Sequence, residues 1–327
     1  MISVLVRFAR RAAQALGIAT VGGLTLVGAA QAEGPLDVVA TTGMIADAVR
    51  EVGGDEVSVR GLMGPGVDPH AYRQTRSDIV ALTRADLVVW HGLFLEAQMR
   101  DFLADLGRSR DVVAVGEAVP TELLIAHDSY VDKYDPHVWM DPAIWVDVVE
   151  AVRAALSDAR PEAAKTFAAN AERYATEIEA LVAYAKAVLA TVPEESRVLV
   201  TAHDAFNYFG RAYGFEVVGI QGISTESEAG IRRVSDVVDV LVDRKVAAVF
   251  VESSVSDRNV RALVEGAAAE GHRVVIGGEL YSDAMGAGGT YEGTYLGMID
   301  HNATTIARAL GGDVPERGMS GRLAAGS

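Results

Sequence analysis

The sequence predicts an α/β protein of two lobes, each with a four-stranded parallel sheet flanked by helices, joined by one long rigid backbone helix. Three observations lead there. Short Val-rich runs, almost free of polar interruption, alternate with helical patterns, as in parallel sheets buried on both faces. Four such runs precede residue 120 and four follow residue 196. Between the two groups lies a single long amphipathic stretch, 161–193, with a proline at each end.

The elements follow in order. Arg7, Arg10 and Arg11 precede the apolar run "LGIATVGGLTLVGAA" (16–30) and an Ala-x-Ala site at 30–32. A basic segment, an apolar segment and small residues at a cleavage site describe a secretory signal peptide over residues 1–32, so a periplasmic protein is expected. The first lobe, 33–160, holds the runs "LDVVATT" (36–42), "VSVRGLM" (57–63), "ADLVVWH" (85–91) and "DVVAVG" (111–116). The linking helix, 161–193, opens on Pro161, which suits a first turn, and carries Phe167, Tyr174, Ile178, Leu181 and Tyr184 along one face. The second lobe, 194–327, holds "RVLVTA" (197–202), "EVVGI" (216–220), "AAVFVES" (247–253) and "RVVIGGE" (273–279). Its tail, 318–327, offers little to bury and is expected to fray.

Charge and cysteine usage narrow the function. A net charge of −16 argues against nucleic acid as a partner, since that needs basic patches. The chain has no cysteine, which excludes disulfides and thiolate metal sites. A monomer is expected. No nucleotide-binding glycine loop, no GxSxG elbow and no HExxH helix occurs.

Open parallel sheets bind ligands at the carboxyl ends of their strands. Metal-type side chains stand there on both lobes. His70 follows the strand 57–63, and His137 lies in the long connection after 111–116. His203 directly follows 197–202, and Asp283 follows 273–279. Three imidazoles and one carboxylate, two from each lobe, form a complete set for a divalent transition metal in the crevice. His70 and His137 each end an Asp-Pro-His triplet, at 68–70 and 135–137. Asp68 and Asp135 read as helix N-caps with proline at the first helical position, not as ligands; Asp141 before Pro142 reads likewise. His91 is a structural or crevice-lining residue, and His127 falls in the irregular loop 120–134. His272 and His301 take surface or helix positions. Trp90, Trp139 and Trp145 belong to the core or the crevice wall. Glu252 and Glu279 end strands, where each could orient an imidazole or make a capping bond.

Five segments in order carry a family likeness: "GPGVDPHAYRQTRSDIVALTRADLVVWHGLFLE" (64–96), "DPHVWMDP" (135–142), "AHDAFNYFGRAYGF" (202–215), "VFVESSVS" (249–256) and "LYSDAMG" (280–286). Together they resemble the metal-binding solute-binding proteins of zinc and manganese ABC importers, the ZnuA/TroA-like family. The resemblance implies a cation held between two α/β lobes on one long helix and passed to the importer's membrane permease. A periplasmic metal chaperone is a second candidate partner. It implies His70, His137, His203 and Asp283 as the metal ligands. Some manganese and iron binders of the family carry Glu where His203 stands, and many zinc binders have a His-rich loop where this chain has only "TELLIAHDSYVDKYD" (121–135). Three nitrogens and one carboxylate suit Zn²⁺, with Mn²⁺ the alternative. Two other functions use the same four groups: a metallohydrolase, and a metal-binding adhesin.

Overall fold

The strands are mostly apolar on both faces, with polar residues such as Asp37, Thr201 and Glu252 at or near their ends, and such strands form sheets covered on both sides. The computed structural model describes residues 34–127 and 131–324. The signal peptide expected over 1–32 lies outside them. In the first lobe, β1 (Leu36–Ala40), β2 (Val57–Gly61), β3 (Leu87–Trp90) and β4 (Asp111–Ala114) form one parallel sheet in the order β2-β1-β3-β4. Val38, Ala40, Leu87 and Val89 point to one face, packed on α1 (Gly43–Gly53) and α4 (Pro142–Ala159). Val39, Val88 and Trp90 point to the other, packed on α2 (Arg76–Arg84) and α3 (Arg100–Leu106).

Between the lobes runs α5 (Ala164–Leu189), preceded by a short 3₁₀ turn that opens on Pro161. Its 26 residues span about 39 Å at 1.5 Å per residue. Phe167, Tyr174, Ile178 and Leu181 are buried, as the periodicity predicts. Tyr184 is half-buried and its hydroxyl meets Thr304 Oγ1 at 2.8 Å.

The second lobe contains β5 (Val198–Thr201), α6 (Asn207–Tyr213), β6 (Glu216–Gly219), α7 (Ile231–Asp243), β7 (Ala248–Glu252), α8 (Arg258–Ala269), β8 (Val275–Leu280) and α9 (Tyr295–Ala309). Its four strands lie where the sequence puts them, but among the described residues they form two parallel pairs, β5-β6 and β7-β8, without a backbone ladder between β5 and β7. The pairs meet through side chains. Val198, Val200 and Val249 share one core, and the Glu252 carboxylate takes the backbone N–H of His203 just beyond β5.

One apolar core is continuous from α1 and α4 through α5 to α6 and α9, so the lobes share packed side chains on the helical side of the molecule. As far as Ala324 the tail is tied down, contrary to the expectation that it frays. Leu323 is fully buried, Met319 N donates to both Asp300 carboxylate oxygens at 3.0 Å, and Ala324 N donates to Glu292 Oε1 at 2.7 Å. Gly318, at φ +71°, permits the turn: a Cβ there would meet Asp300 Oδ1 at 2.5 Å. Among the described residues no helix is long and apolar enough to cross a membrane.

Asp47 on α1 is buried in that shared core. Its Oδ2 accepts from the backbone N–H of Tyr295 at 2.9 Å and from the Tyr174 hydroxyl at 3.1 Å, joining α1, α5 and α9. Burial pushes its carboxyl up to about 6 from 3.8. The folded chain therefore holds this proton more tightly than the unfolded chain does. The associated stability is fully present below about pH 4 and is lost as pH rises through about 6. Across that window the group costs about 3 kcal/mol, at 1.36 kcal/mol per pH unit. Asp47→Asn should flatten the pH dependence of stability between pH 4 and 7, measured by thermal unfolding of both proteins. Parallel curves would show that Asp47 carries no such proton.

Candidate metal centre

Each candidate ligand is delivered by a backbone feature the sequence encodes. Pro69 and Pro136 stiffen the chain before His70 and His137. Neither Asp-Pro pair begins an α-helix, contrary to the N-cap reading. The segment after Asp68 forms turns, and α2 starts only at Arg76, capped by Thr75. After Asp135 there is only a short 3₁₀ turn, Val138–Met140. Each aspartate instead accepts the backbone N–H two residues on: Asp68 Oδ1 from His70 at 2.8 Å, Asp135 Oδ1 from His137 at 2.9 Å. These are Asx turns, a local alternative open to the same residue type. Asp141 does cap α4, with Pro142 in its first turn. His203 follows β5, and Asp283 follows β8, where Trp139 Nε1 donates to the neighbouring Ser282 carbonyl at 2.8 Å.

The four side chains converge on one point at the seam between the lobes. His70 Nε2 and His137 Nε2 are 3.3 Å apart. Asp283 Oδ1 is 3.4 Å from His137 Nε2, and Oδ2 is 3.2 Å from His203 Nε2 and 3.8 Å from His70 Nε2. All four ligand atoms lie within 4.8 Å of one another, and no residue of the set is more than 3% exposed. Ligands at 2.0–2.1 Å in a tetrahedron sit about 3.3 Å from each other, close to these separations.

The imidazoles are oriented from behind. His137 Nδ1 is 2.6 Å from Asp135 Oδ1, and His203 Nδ1 is 2.5 Å from Glu252 Oε2. Each pairing reserves Nε2 for the centre. The polar atoms at the centre make no hydrogen bonds. His203 Nε2 and both Asp283 oxygens are buried without a hydrogen-bond partner, the ring nitrogens facing the carboxylate at 3.2–3.8 Å. An uncompensated buried acceptor costs about 1–3 kcal/mol, more when charged. A cation at the centre satisfies all of them at once.

The charge states follow from the same neighbours. Burial lowers the His70 imidazole to about 3, so its lone pair is free at neutral pH. Burial also opposes charge on His137 and His203, but the carboxylates win. Asp135, then Asp283, raise His137 to about 9, and Glu252 and Asp283 raise His203 well above its ordinary range. Asp283 is buried too, yet the imidazoles hold it well below the usual carboxylate range.

The remaining candidates sort clearly. His91 is buried, with Nε2 2.7 Å from the Pro136 carbonyl and its ring edge-on to Trp139, so it steadies the chain that presents His137. His127 lines a cavity of about 260 Å³ that opens onto His70, beside Phe94, Lys133 and Glu226. His272 and His301 bond backbone carbonyls of Val246 and Glu279; His301 sits on α9 but is buried, not at the surface. Glu252 orients an imidazole, whereas the exposed Glu279 offers only its backbone carbonyl, to His301. Trp139 and Trp145 are fully buried and Trp90 nearly so. The sequence reading missed Asn207, Tyr208 and Thr225. Asn207 Nδ2 donates to Asp135 Oδ2 at 3.1 Å, the Tyr208 hydroxyl to the Asp135 carbonyl at 2.8 Å, and Thr225 Oγ1 to Asp68 Oδ2 at 2.5 Å.

Two sheet-centred lobes with a buried His₃Asp set at their seam define a two-lobed binding protein organised around a cation position. The chain belongs to the family described as zinc-uptake complex component A, periplasmic, whose profile matches residues 38–309. It is 48% identical over 279 residues to the manganese-binding lipoprotein MntA of Bacillus subtilis, covering 85% of this chain and 91% of that one. It is 46% identical over 281 residues to the zinc-binding protein TroA of Treponema pallidum, covering 86% and 91%. The solved structure of that periplasmic zinc-binding protein superposes with a TM-score of 0.83, over 85% of this chain and 99% of the other.

Two measurements test this geometry. The neighbouring carboxylates favour the protonated forms of His137 and His203, so metal binding should release protons. Affinity should therefore rise with pH as these imidazoles give up their protons. Calorimetry in buffers of different ionisation enthalpy reads the proton count directly; a value near zero would contradict the assigned charges. Asp135→Asn should weaken binding about 10–100-fold without unfolding the chain, as loss of an orienting partner does. Unchanged affinity in a titration would show that Asp135 does not position His137.

Proposed function

We propose that this protein is the periplasmic receptor of an ABC importer, capturing a divalent transition metal between its lobes and handing it to the membrane permease. The observation that carries this is the convergence of His70, His137, His203 and Asp283 on one buried point, where His203 Nε2 and both Asp283 oxygens find no hydrogen-bond partner. In this reading the four are the metal ligands. Residues 1–32 export the chain, 33–160 and 194–327 are the two lobes, and 161–193 is the rod between them.

Zinc is the cargo we favour. Three imidazole nitrogens and a carboxylate in a tight set suit it, and the Irving–Williams order places Zn²⁺ above Mn²⁺ for such donors. Manganese is the alternative, since the relatives at 48% and 46% identity are named for manganese and for zinc respectively. A hydrolytic role fits less well. Catalytic zinc keeps an open position for water, whereas four protein ligands fill a tetrahedral shell. The two carboxylates nearest the ligands, Asp135 and Glu252, are engaged by imidazole Nδ1 atoms, leaving neither placed as a general base. Nothing in the site favours an adhesin over a receptor.

His203→Ala should lower zinc affinity by orders of magnitude while far-ultraviolet circular dichroism stays unchanged. Titration calorimetry with Zn²⁺ and then Mn²⁺ tests both the site and the cargo. Wild-type affinity in the variant would sink the ligand assignment, and tighter wild-type binding of Mn²⁺ than Zn²⁺ would reverse the choice of metal.

A further inference from the structure

The two Asp-Pro-His triplets share an architecture that reaches across the seam. In each, one carboxylate oxygen accepts the N–H of the triplet's own histidine, and the other oxygen accepts a donor from the opposite lobe. Asp68 takes His70 N at 2.8 Å on Oδ1 and Thr225 Oγ1 at 2.5 Å on Oδ2. Asp135 takes His137 N at 2.9 Å and Nδ1 at 2.6 Å on Oδ1, and Asn207 Nδ2 at 3.1 Å on Oδ2. The second lobe is built differently. Glu252 holds His203 with both oxygens, Oε1 on the backbone N–H at 2.9 Å and Oε2 on Nδ1 at 2.5 Å, entirely within its own lobe.

We infer that Thr225 and Asn207 are positioning residues that make the first lobe's grip on the metal depend on closure of the seam. The inference rests on the proposed cation-binding role. A carboxylate fixed at both oxygens cannot rotate, and it can be fixed at both only while the lobes are together. When they part, Thr225 and Asn207 withdraw, and Asp68 and Asp135 regain the freedom to turn. The backbone of His70 and both the backbone and the ring of His137 then lose their support, while His203 stays held by Glu252. The site is thus asymmetric: the second lobe presents a pre-aimed ligand, and the first lobe's two histidines are held in place by closure. Neither Thr225 nor Asn207 touches the centre, so each acts through its aspartate.

Such a coupling appears in the rate of release. Thr225→Val removes the hydroxyl and keeps the shape. It should speed Zn²⁺ dissociation about tenfold, the low end for loss of an orienting partner, and leave association unchanged. Stopped-flow mixing with Zn²⁺ alone, and of loaded protein with a chelator, reads the two rates. Thr225→Ser should restore the wild-type dissociation rate. Asn207→Ala should shift dissociation in the same direction as Thr225→Val. In an Asp68→Ala background Thr225→Val should add nothing, because the two act as one unit. An unchanged dissociation rate in Thr225→Val overturns the inference, as does a serine variant that fails to restore it or a full further increase in the Asp68→Ala background. A wild-type chain that retains neither Zn²⁺ nor Mn²⁺ overturns the receptor reading as well. Tight wild-type binding with an unaffected valine variant overturns this inference alone.

Discussion

A carboxylate at the seam, with neither oxygen hydrogen-bonded, sets the terms for everything around it. Asp283 is buried and faces three imidazoles from both lobes. In a medium of low dielectric such a group demands a counter-charge, because an unpaired buried ion costs far more than an unpaired neutral dipole. The imidazoles supply part of the answer as imidazolium ions, and a divalent cation supplies the whole of it. The Asx turns at Asp68 and Asp135, the Glu252 clasp on His203 and the Trp139 bond to Ser282 can all be read as means of holding three rings around that one carboxylate.

The rest of the fold keeps the seam narrow. A long helix by itself would be a spacer, but α5 is embedded in a core that runs unbroken from α1 and α4 to α9. Motion of one lobe against the other must therefore leave these packed layers largely intact, since interiors at crystal-like density resist deformation. That favours small adjustments at the seam over wide opening. Small adjustments are enough, because hydrogen bonds such as Thr225–Asp68 lapse with a shift of about an ångström.

Much of this was legible in the chain. The strands and the linking helix follow from periodicity, which is local and which burial enforces directly. The four candidate ligands, which converge on one point, follow from a topological rule about strand ends. The aspartates of the triplets were harder, because an N-cap and an Asx turn begin with the same bond, a side-chain oxygen accepting from an N–H two or three residues on. What decides between them is the chain beyond. After Asp68 it continues through turns to Thr75, whose capping box with Asp78 starts α2 instead. Leu323 was missed for a related reason: one leucine in a short tail shows no period, and the bonds that hold its neighbours Met319 and Ala324 come from Asp300 and Glu292, distant in sequence. Thr225 and Asn207 carry no local signature at all. Their roles arise from where the second lobe sits, a long-range fact that no spacing encodes.

The charge arithmetic explains why so acidic a seam tolerates both states of the site. Without metal, the carboxylates of Asp135, Glu252 and Asp283 favour protons on His137 and His203. With a divalent cation bound, the two imidazoles are neutral and the same three carboxylates face two positive charges. The exchange of two protons for one M²⁺ leaves the net charge of the buried cluster unchanged. A site that had to bury a new charge on loading would meet a solvation cost of several kcal/mol. Here the field that attracts the metal is already balanced before it arrives, and what changes is its geometry: two dispersed charges on the rings become one charge at their common focus.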